Sequence, residues 1–556
     1  NIDLPSNGNI SASLRIIEEE PIDLTTSYKS DIVSFANYKV KVKIIKSRNK
    51  YIAKIELLPI RFIQANKVMV LKKFTIDINY QPQTIASLPV NPFTYESELK
   101  MGQIFKISVP KKGIYKLDKS FFENKLKLNL TGINPKNIRL LGNGGTRIPE
   151  SNSTLRIDDL KENKIYFSGQ EDGIFNDNDY ILFYATGPDQ VEYDSLNQSF
   201  IYDKNSYSVK SYFFIKLDSK AGLRISKKAI LGQTDYNTNK GVDYYHHEVE
   251  LINLLDDDEC NHGSGQQWYG EEMSNTRELD LSKEVDLSGI LTNIPSIVST
   301  EFASRASQNT NLAISIDGVV KNLSLGISPF SCTSRYATSN TFRNSFNISN
   351  SSPKTVITFP QTGVNSDGWL NYFQISYTKE LQYNNGPSYI FDPSALRYNK
   401  IRYTVKSLNS TQDLISWNIT NPTEISEIPN QRSSNSISFA DESLNSYQSY
   451  VVFSLTDKFE TPEFESIVEN QNLHELDKLD MVIIYHSSLK KEAERLLKHR
   501  SNFSNLKGIA IDVDQVDNEF GSGTKDPSAI RDFMRMLYSR NPQFKYLILF
   551  GNSSFD

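Results

Sequence analysis

The sequence lacks charge of either sign in excess, with 61 basic against 66 acidic side chains in 556 residues. Nothing in that balance calls for nucleic acid, and no run of Lys or Arg is long enough to form a phosphate-binding stripe. The small group Lys112, Lys116 and Lys119 reads as a solvated face. Also missing is any stretch of about 18 consecutive apolar residues, which a membrane-spanning helix requires. No signal peptide opens the chain, so the protein is either cytosolic or has lost its leader. Two cysteines are too few to mark a redox compartment. Helix formers are sparse until residue 487, whereas Tyr, Phe, Asn, Ser and Thr are plentiful. That is the profile of a large, surface-exposed β protein whose leader has been removed. The length exceeds one core, and about 150 residues per domain suggests three or four domains.

Periodicity divides the chain into four parts. Residues 1–97 alternate apolar and polar side chains, as in Phe74-Thr75-Ile76-Asp77-Ile78-Asn79-Tyr80, and predict an antiparallel β domain closed by a linker containing Pro89 and Pro92. Residues 98–228 form a second β-rich block, with a Gly142-Asn143-Gly144-Gly145 turn and the strand Tyr180–Tyr184. Residues 229–460 carry many short strands, including Leu312–Ile316 before an Asp317-Gly318 turn, and predict a sandwich or jelly roll.

Residues 461–556 read differently. Three uninterrupted apolar runs, Met481–Tyr485, Ile509–Ile511 and Tyr546–Phe550, alternate with helical patterns, as a parallel sheet covered on both faces demands. Ser487 and Ser488 are candidate caps of the first helix, which turns Leu489, Ala493, Leu496 and Leu497 to one side. The second starts at Asp526 and Pro527, with Ile530, Phe533, Met534, Leu537 and Tyr538 as its apolar face. Such sheets react at the carboxyl ends of their strands, which places chemistry near Asp512–Gly523 and Gly551–Asp556. Three strands also leave a sheet edge unpaired.

Candidate sites each have a plain structural alternative. The glycine turn at 142–145 is followed by Ile148-Pro149 rather than a helix, so it reads as a turn and not a phosphate cradle. Asp172, Asn176, Asp177 and Asp179 offer hard oxygen ligands without the EF-hand order, so they are weak calcium candidates beside a default Asx-rich turn. Asp256–Glu259 would hold the thiol of Cys260 protonated, which opposes catalysis there. Cys260 and Cys332 lack zinc spacing and either bridge or stay apart. The acidic stretch Asp512–Gly523 reads as a β-to-α connection with a glycine hinge, and His486 as structural.

Three groups of residues in the last part carry a resemblance: Asn470-Gln471-Asn472-Leu473-His474; Asn518-Glu519-Phe520-Gly521-Ser522-Gly523 with Asp526-Pro527; and Leu549-Phe550-Gly551-Asn552-Ser553-Ser554-Phe555-Asp556. Together they resemble the opening of the gingipain-type (C25) cysteine peptidases. Gly142–Gly145, Gly169–Gly173 with Asp179–Tyr184, and Ser264–Glu271 narrow the likeness to the sortases of the type IX secretion system in Bacteroidetes. The resemblance implies a mainly β chain of several sandwich-like domains, followed by the first half of an α/β caspase-like parallel-sheet domain. It marks Asn518, Glu519, Gly521, Gly523, Asp526, Asn552 and Asp556 as motif residues at the edge of the peptidase domain, Asn552 standing where the family usually has an acid. It puts the catalytic Cys and His downstream of Asp556, so no catalytic residue is expected in this chain, which should be inactive alone.

The function implied is removal of the carboxy-terminal signal domain from secreted substrates, with transfer to a surface glycolipid such as anionic lipopolysaccharide through a thioester. No cofactor is required by that chemistry, and calcium is the one ion the sequence leaves room for. Implied partners are PorV-like β-barrel, PorZ-like and PorQ-like attachment-complex subunits and the signal-bearing substrates, at the outer face of the outer membrane. Two alternatives remain: a non-catalytic β scaffold docking to that machinery, and a carbohydrate-binding surface protein.

Overall fold

The structure, a computed structural model, describes residues 2–4, 8–23, 38–47, 50–64, 67–82, 93–152, 154–253, 267–328, 336–363, 365–407, 412–443 and 446–552. Cys260, Cys332, Asp556 and the acidic cluster at 256–259 lie outside these residues, and the disulfide expectation with them. The chain forms two compact units, residues 1–92 and 93–556.

In the first unit, alternation of side chains yields two three-stranded antiparallel sheets. Gly8–Asp23 pairs with Lys67–Pro82 along its whole length, with a bulge around Glu18. Lys50–Leu58 lies between Ile2–Leu4 and Lys39–Ser47. Among the described residues only Ala53, Val68 and Leu71 are buried apolar side chains here, and Ile16 and Ile17 face solvent.

The second unit opens with a five-stranded sheet in the order Glu162–Asn163, β2 (Ile138–Leu141), β3 (Ser211–Leu217), β1 (Gln103–Val109), β4 (Glu463–Val468). Phe105, Ile107, Phe213 and Ile215 point from it onto Tyr115, Ile181 and Phe183 of a three-stranded sheet. Strand β4 lies beyond residue 460, in the part expected to be α/β, yet completes this β sheet; Phe464 packs on its core and Glu465 accepts from Ser108 at 2.5 Å.

Among the described residues, 229–460 contain two large apolar cores rather than one, with a smaller cluster around Tyr269 and Trp369. A four-stranded sheet built on Ser296–Ala306 and Ser366–Glu380 faces another containing the hairpin Thr310–Ile316/Val319–Leu325. The hairpin turns at Asp317 (φ 48°) and Gly318 (φ 82°), the left-handed pair that a two-residue connection needs. The other core is centred on Tyr403, Phe439 and Tyr450. Trp417, fully buried, joins this block to the preceding one by packing with Ile114, Leu182 and Tyr184.

The last segment is a parallel sheet with β5 (Met481–Tyr485) at its centre, flanked by β6 (Gly508–Asp512) and β7 (Tyr546–Phe550). Its helices are α1 (Lys490–Ser504), α2 (Val513–Phe520) and α3 (Pro527–Arg540). Strand parity explains the all-apolar runs. Val482 and Ile484 meet Val516, Phe520 and Phe533 on one face, and Met481, Ile483 and Tyr485 meet Ala493, Leu496 and Leu497 on the other.

Three expectations are corrected in this segment. The acidic connection after β6 is the helix α2, because Asp512 caps it by accepting from Asp514 N at 3.1 Å and Val516 and Phe520 share one face. The first helix has no serine cap: His486 accepts from Ser488 N at the 3-10 turn that precedes it. In α3 the buried face includes Met536, whereas Tyr538 is exposed. Among the described residues both β6 and β7 are edge strands of this sheet, and β7 exposes Tyr546, Leu547 and Leu549. Among the described residues, no helix is long and apolar enough to cross a membrane.

Candidate functional site

The end of α2 is chemically odd for a short helix: Asp517, Asn518, Glu519 and Phe520 are all buried. Burying consecutive polar side chains is unfavourable unless each finds a partner. Here the partners come from the β block that begins at residue 93 and from the connection between β4 and β5 around His474.

Glu519, with no exposed surface, accepts from Gln471 Nε2 (2.9 Å), from Leu473 N (2.8 and 3.0 Å) and from His474 Nδ1 (2.7 Å). His474 is equally buried, and its Nε2 faces Asp158 Oδ1 at 3.5 Å, an ion-pair contact longer than an ordinary hydrogen bond. Burial opposes charge on the imidazole, but Asp158, Glu519 and the nearby Asp159 outweigh it and raise His474 to about 9. The ring is therefore an imidazolium at neutral pH, stacked on Phe520 with centroids 4.5 Å apart. Asp158 and Asp159 are in turn held by backbone donors, Thr94 N at 2.7 Å and Glu98 N at 2.6 Å. Burial pushes Asp159 up to about 6 against the pull of His474.

The turn after α2 makes a second set of contacts. Gly521 N and Gly523 N both donate to Asp517 O, at 2.9 and 2.8 Å. Lys106 of β1 reaches in, donating to Asn518 Oδ1 (3.1 Å) and Gly523 O (2.8 Å), with its ammonium 4.5 Å from the Tyr212 ring centroid. Desolvation lowers Lys106. It also pushes Asp517 up to about 7, although Lys106 opposes that. Gly523 has φ 86°, and a Cβ there would lie 2.8 Å from Lys106 Cε and Tyr212 Cβ, so only glycine fits. Ser522 Oγ accepts from Asn143 N at 3.0 Å, so the glycine-rich turn at 142–145 docks a neighbouring segment. Asp526 does two jobs: one oxygen caps α3 through Ser528 N (2.7 Å), the other accepts from Ile148 N (2.9 Å). Arg156 pairs with Asp532 at 2.6 Å, and Arg540 donates to Thr94 O at 2.6 Å and covers Tyr95.

Of the motif residues singled out from sequence, Asn518, Glu519, Gly521, Gly523 and Asp526 thus come together in a buried seam between the parallel sheet and the β block. Asn552 stands apart, exposed just after β7. His486 is also exposed. Asp158, Asp159, Lys106, Arg156 and Arg540 escaped sequence reasoning, since no local pattern distinguishes them and their partners are remote in sequence. The seam's chemistry is that of a latch. Glu519 faces only its own donors, and neither nitrogen of His474 is open to a substrate.

The calcium candidates behave as an Asx-rich turn. Asp172 accepts from Ile174 N (3.0 Å) and Asn176 Nδ2 (2.8 Å), Asp179 accepts from Asn176 N (2.7 Å), and Asp177 pairs with Lys119 (2.7 Å). Among the described residues no group of three or more His, Cys, Asp or Glu side chains is placed to hold a metal ion.

With this geometry in place, comparison with known proteins is informative. Residues 474–556, from the latch histidine onward, match peptidase family C25. Over 82% of its length the chain superposes on dimeric latent PorU from Porphyromonas gingivalis, with a TM-score of 0.70 and 21% identity. In fold, the chain is PorU-like. It covers 42% of that PorU chain. A Paenibacillus cycloisomaltooligosaccharide glucanotransferase (7% identity, 42% of this chain and 48% of that one) has a TM-score of only 0.13 and carries no argument. No curated protein sequence matches. Both the β architecture and the position of the C25 segment agree with a mainly β chain leading into a peptidase domain.

Proposed function

We propose that the chain is the β platform and first strands of a type IX secretion sortase, a cysteine peptidase that removes carboxy-terminal signal domains. The observation that carries this reading is the coincidence of the C25 match with a parallel α/β segment, latched to a PorU-like β body. On this reading the latch fixes β5 and the carboxyl ends of the sheet relative to the platform, so that a nucleophile and base supplied downstream of Asp556 meet substrate in one geometry. The thiolate would attack the scissile carbonyl while the imidazolium protonates the departing amine. The resulting thioester would then pass to the amine of a surface glycolipid, or to water. PorV-like, PorZ-like and PorQ-like outer-membrane components, on the outer face of the membrane, are the partners this role calls for.

The test uses the native-length protein and a substrate bearing its signal domain. Release of the domain should occur and should stop after alkylation with iodoacetamide, and residues 1–556 alone should cleave nothing. Cleavage that survives alkylation refutes the thiol chemistry, and thiol-dependent cleavage by residues 1–556 refutes the placement of the dyad. A second reading, a docking scaffold without catalysis, draws on the seam itself, because the motif residues present in this chain are structural. It predicts that the alkylated protein remains fully functional in secretion.

A further inference from the structure

Outside the seam, the hairpin Gln190–Asp194/Ser199–Asp203 leaves its own block and lies across the four-stranded sheet of the next one. Gln374 donates to Phe200 O at 2.6 Å and Ser376 Oγ accepts from Phe200 N at 3.1 Å, which holds the hairpin above the sheet. Beside this bridge is a cavity of about 1150 Å³.

Its floor has an unusual order. In register across three neighbouring strands stand Glu248, Tyr372 and Glu301, a ring flanked by two carboxylates. The pairing slips between Glu301 and Phe302, so that Asn371 is an extra residue opposite them. Strict alternation would turn Asn371 away from Tyr372; the bulge lets both line the cavity. Bulges placed this way re-aim side chains. Asn371 Nδ2 and Gln267 Nε2 donate to the two oxygens of Glu301, at 3.2 and 3.0 Å, and fix its orientation. Tyr202 of the hairpin stacks on His246 at 3.9 Å, and His246 on Tyr372 at 5.7 Å, so the aromatic wall is rigid. Trp268 completes the lining.

We infer that this cavity binds a neutral oligosaccharide. Flat aromatic faces suit the C–H faces of pyranose rings, and oriented carboxylates and amides suit hydroxyl groups, which both donate and accept. Four acidic side chains line it against one lysine, which excludes phosphates and acidic sugars. The site is independent of the peptidase reading and stands or falls without it.

The chain reports on this cavity by itself. Of its three tryptophans, Trp369 is 3% exposed and Trp417 is 0% exposed, which leaves Trp268 as the one accessible to a quencher. Mannohexaose, maltohexaose and cellohexaose are the probes. At least one, at millimolar concentration, should protect Trp268 from acrylamide and give saturable heat in calorimetry. Glu301→Gln, isosteric and half-buried, should weaken that affinity about tenfold without changing the melting temperature. Trp268→Phe should remove the fluorescence response and keep the heat. If none of the three probes protects Trp268 or produces heat, the inference is wrong. Protection by spermidine alone would make the cavity a cation site and overturn it equally.

Discussion

Replacing Glu519 by Gln tests the latch most directly. The substitution keeps shape and volume but removes the charge that faces the His474 imidazolium, and it sets an amide donor among the donors of Gln471, Leu473 and His474. Breaking a buried pair by removing one partner costs about 3–5 kcal/mol, because the other charge stays buried without compensation. A second magnitude, shared among Asp158, Glu519 and Asp159, comes from linkage. His474 rises from 6.5 to about 9 on folding, which corresponds to roughly 3 kcal/mol. A base whose folded value is raised stabilises fully below its unfolded value, and that contribution fades as pH climbs through the folded one. The latch should therefore hold at pH 6.5 and loosen towards pH 9. Burial also raises Asp159 to about 6 and Asp517 to about 7. Acids raised on folding make stability fall as pH rises between their unfolded and folded values, here from about 4 to 7. All three groups act in the same direction.

Native-state hydrogen exchange of the β5 amides reads the opening of this segment without requiring the whole multidomain chain to unfold as one. Glu519→Gln should raise the opening constant of Val482–Ile484 about a hundredfold at pH 6.5, and the wild-type loss between pH 6.5 and 9 should shrink in the variant to the part that Asp158 and Asp159 sustain. A change under about 1 kcal/mol, or an unaltered pH dependence, refutes the charged-latch argument.

Gly523→Ala should lower stability by about 1–3 kcal/mol, from left-handed backbone alone and more from the approach to Tyr212, as a drop in melting temperature would show. Asp526→Ala removes the α3 cap, worth about 1 kcal/mol, and orphans Ile148 N–H at a further cost of about 1–3 kcal/mol; Asp526→Asn should recover most of the first part in the same thermal assay. Trp417→Ala empties the core shared by the second and third blocks and should cost about 3–5 kcal/mol, with calorimetry resolving their transitions if that core is what couples them.

Much of the fold is readable in the order of residues because period-two alternation and all-apolar strands are local signals. Met481–Tyr485 had to be a strand covered on both faces, Asp317-Gly318 had to turn a hairpin, and Asp526-Pro527 had to start a helix, each for reasons contained within a few positions. The acidic stretch after β6 was misleading for an equally physical reason. Asp517, Asn518 and Glu519 look solvated in sequence, and only partners from Lys106, Gln471 and His474 make their burial tolerable. The order of residues by itself thus determined a β-rich chain ending in a parallel sheet, over the segment that matches peptidase family C25. That the motif is a seam, that β4 leaves the last segment to complete an earlier sheet, and that a bulge at Asn371 opens a cavity under a hairpin were decided by tertiary structure. Each depends on contacts between residues far apart in the chain, where charge, burial and register are set by the partner rather than by the neighbour.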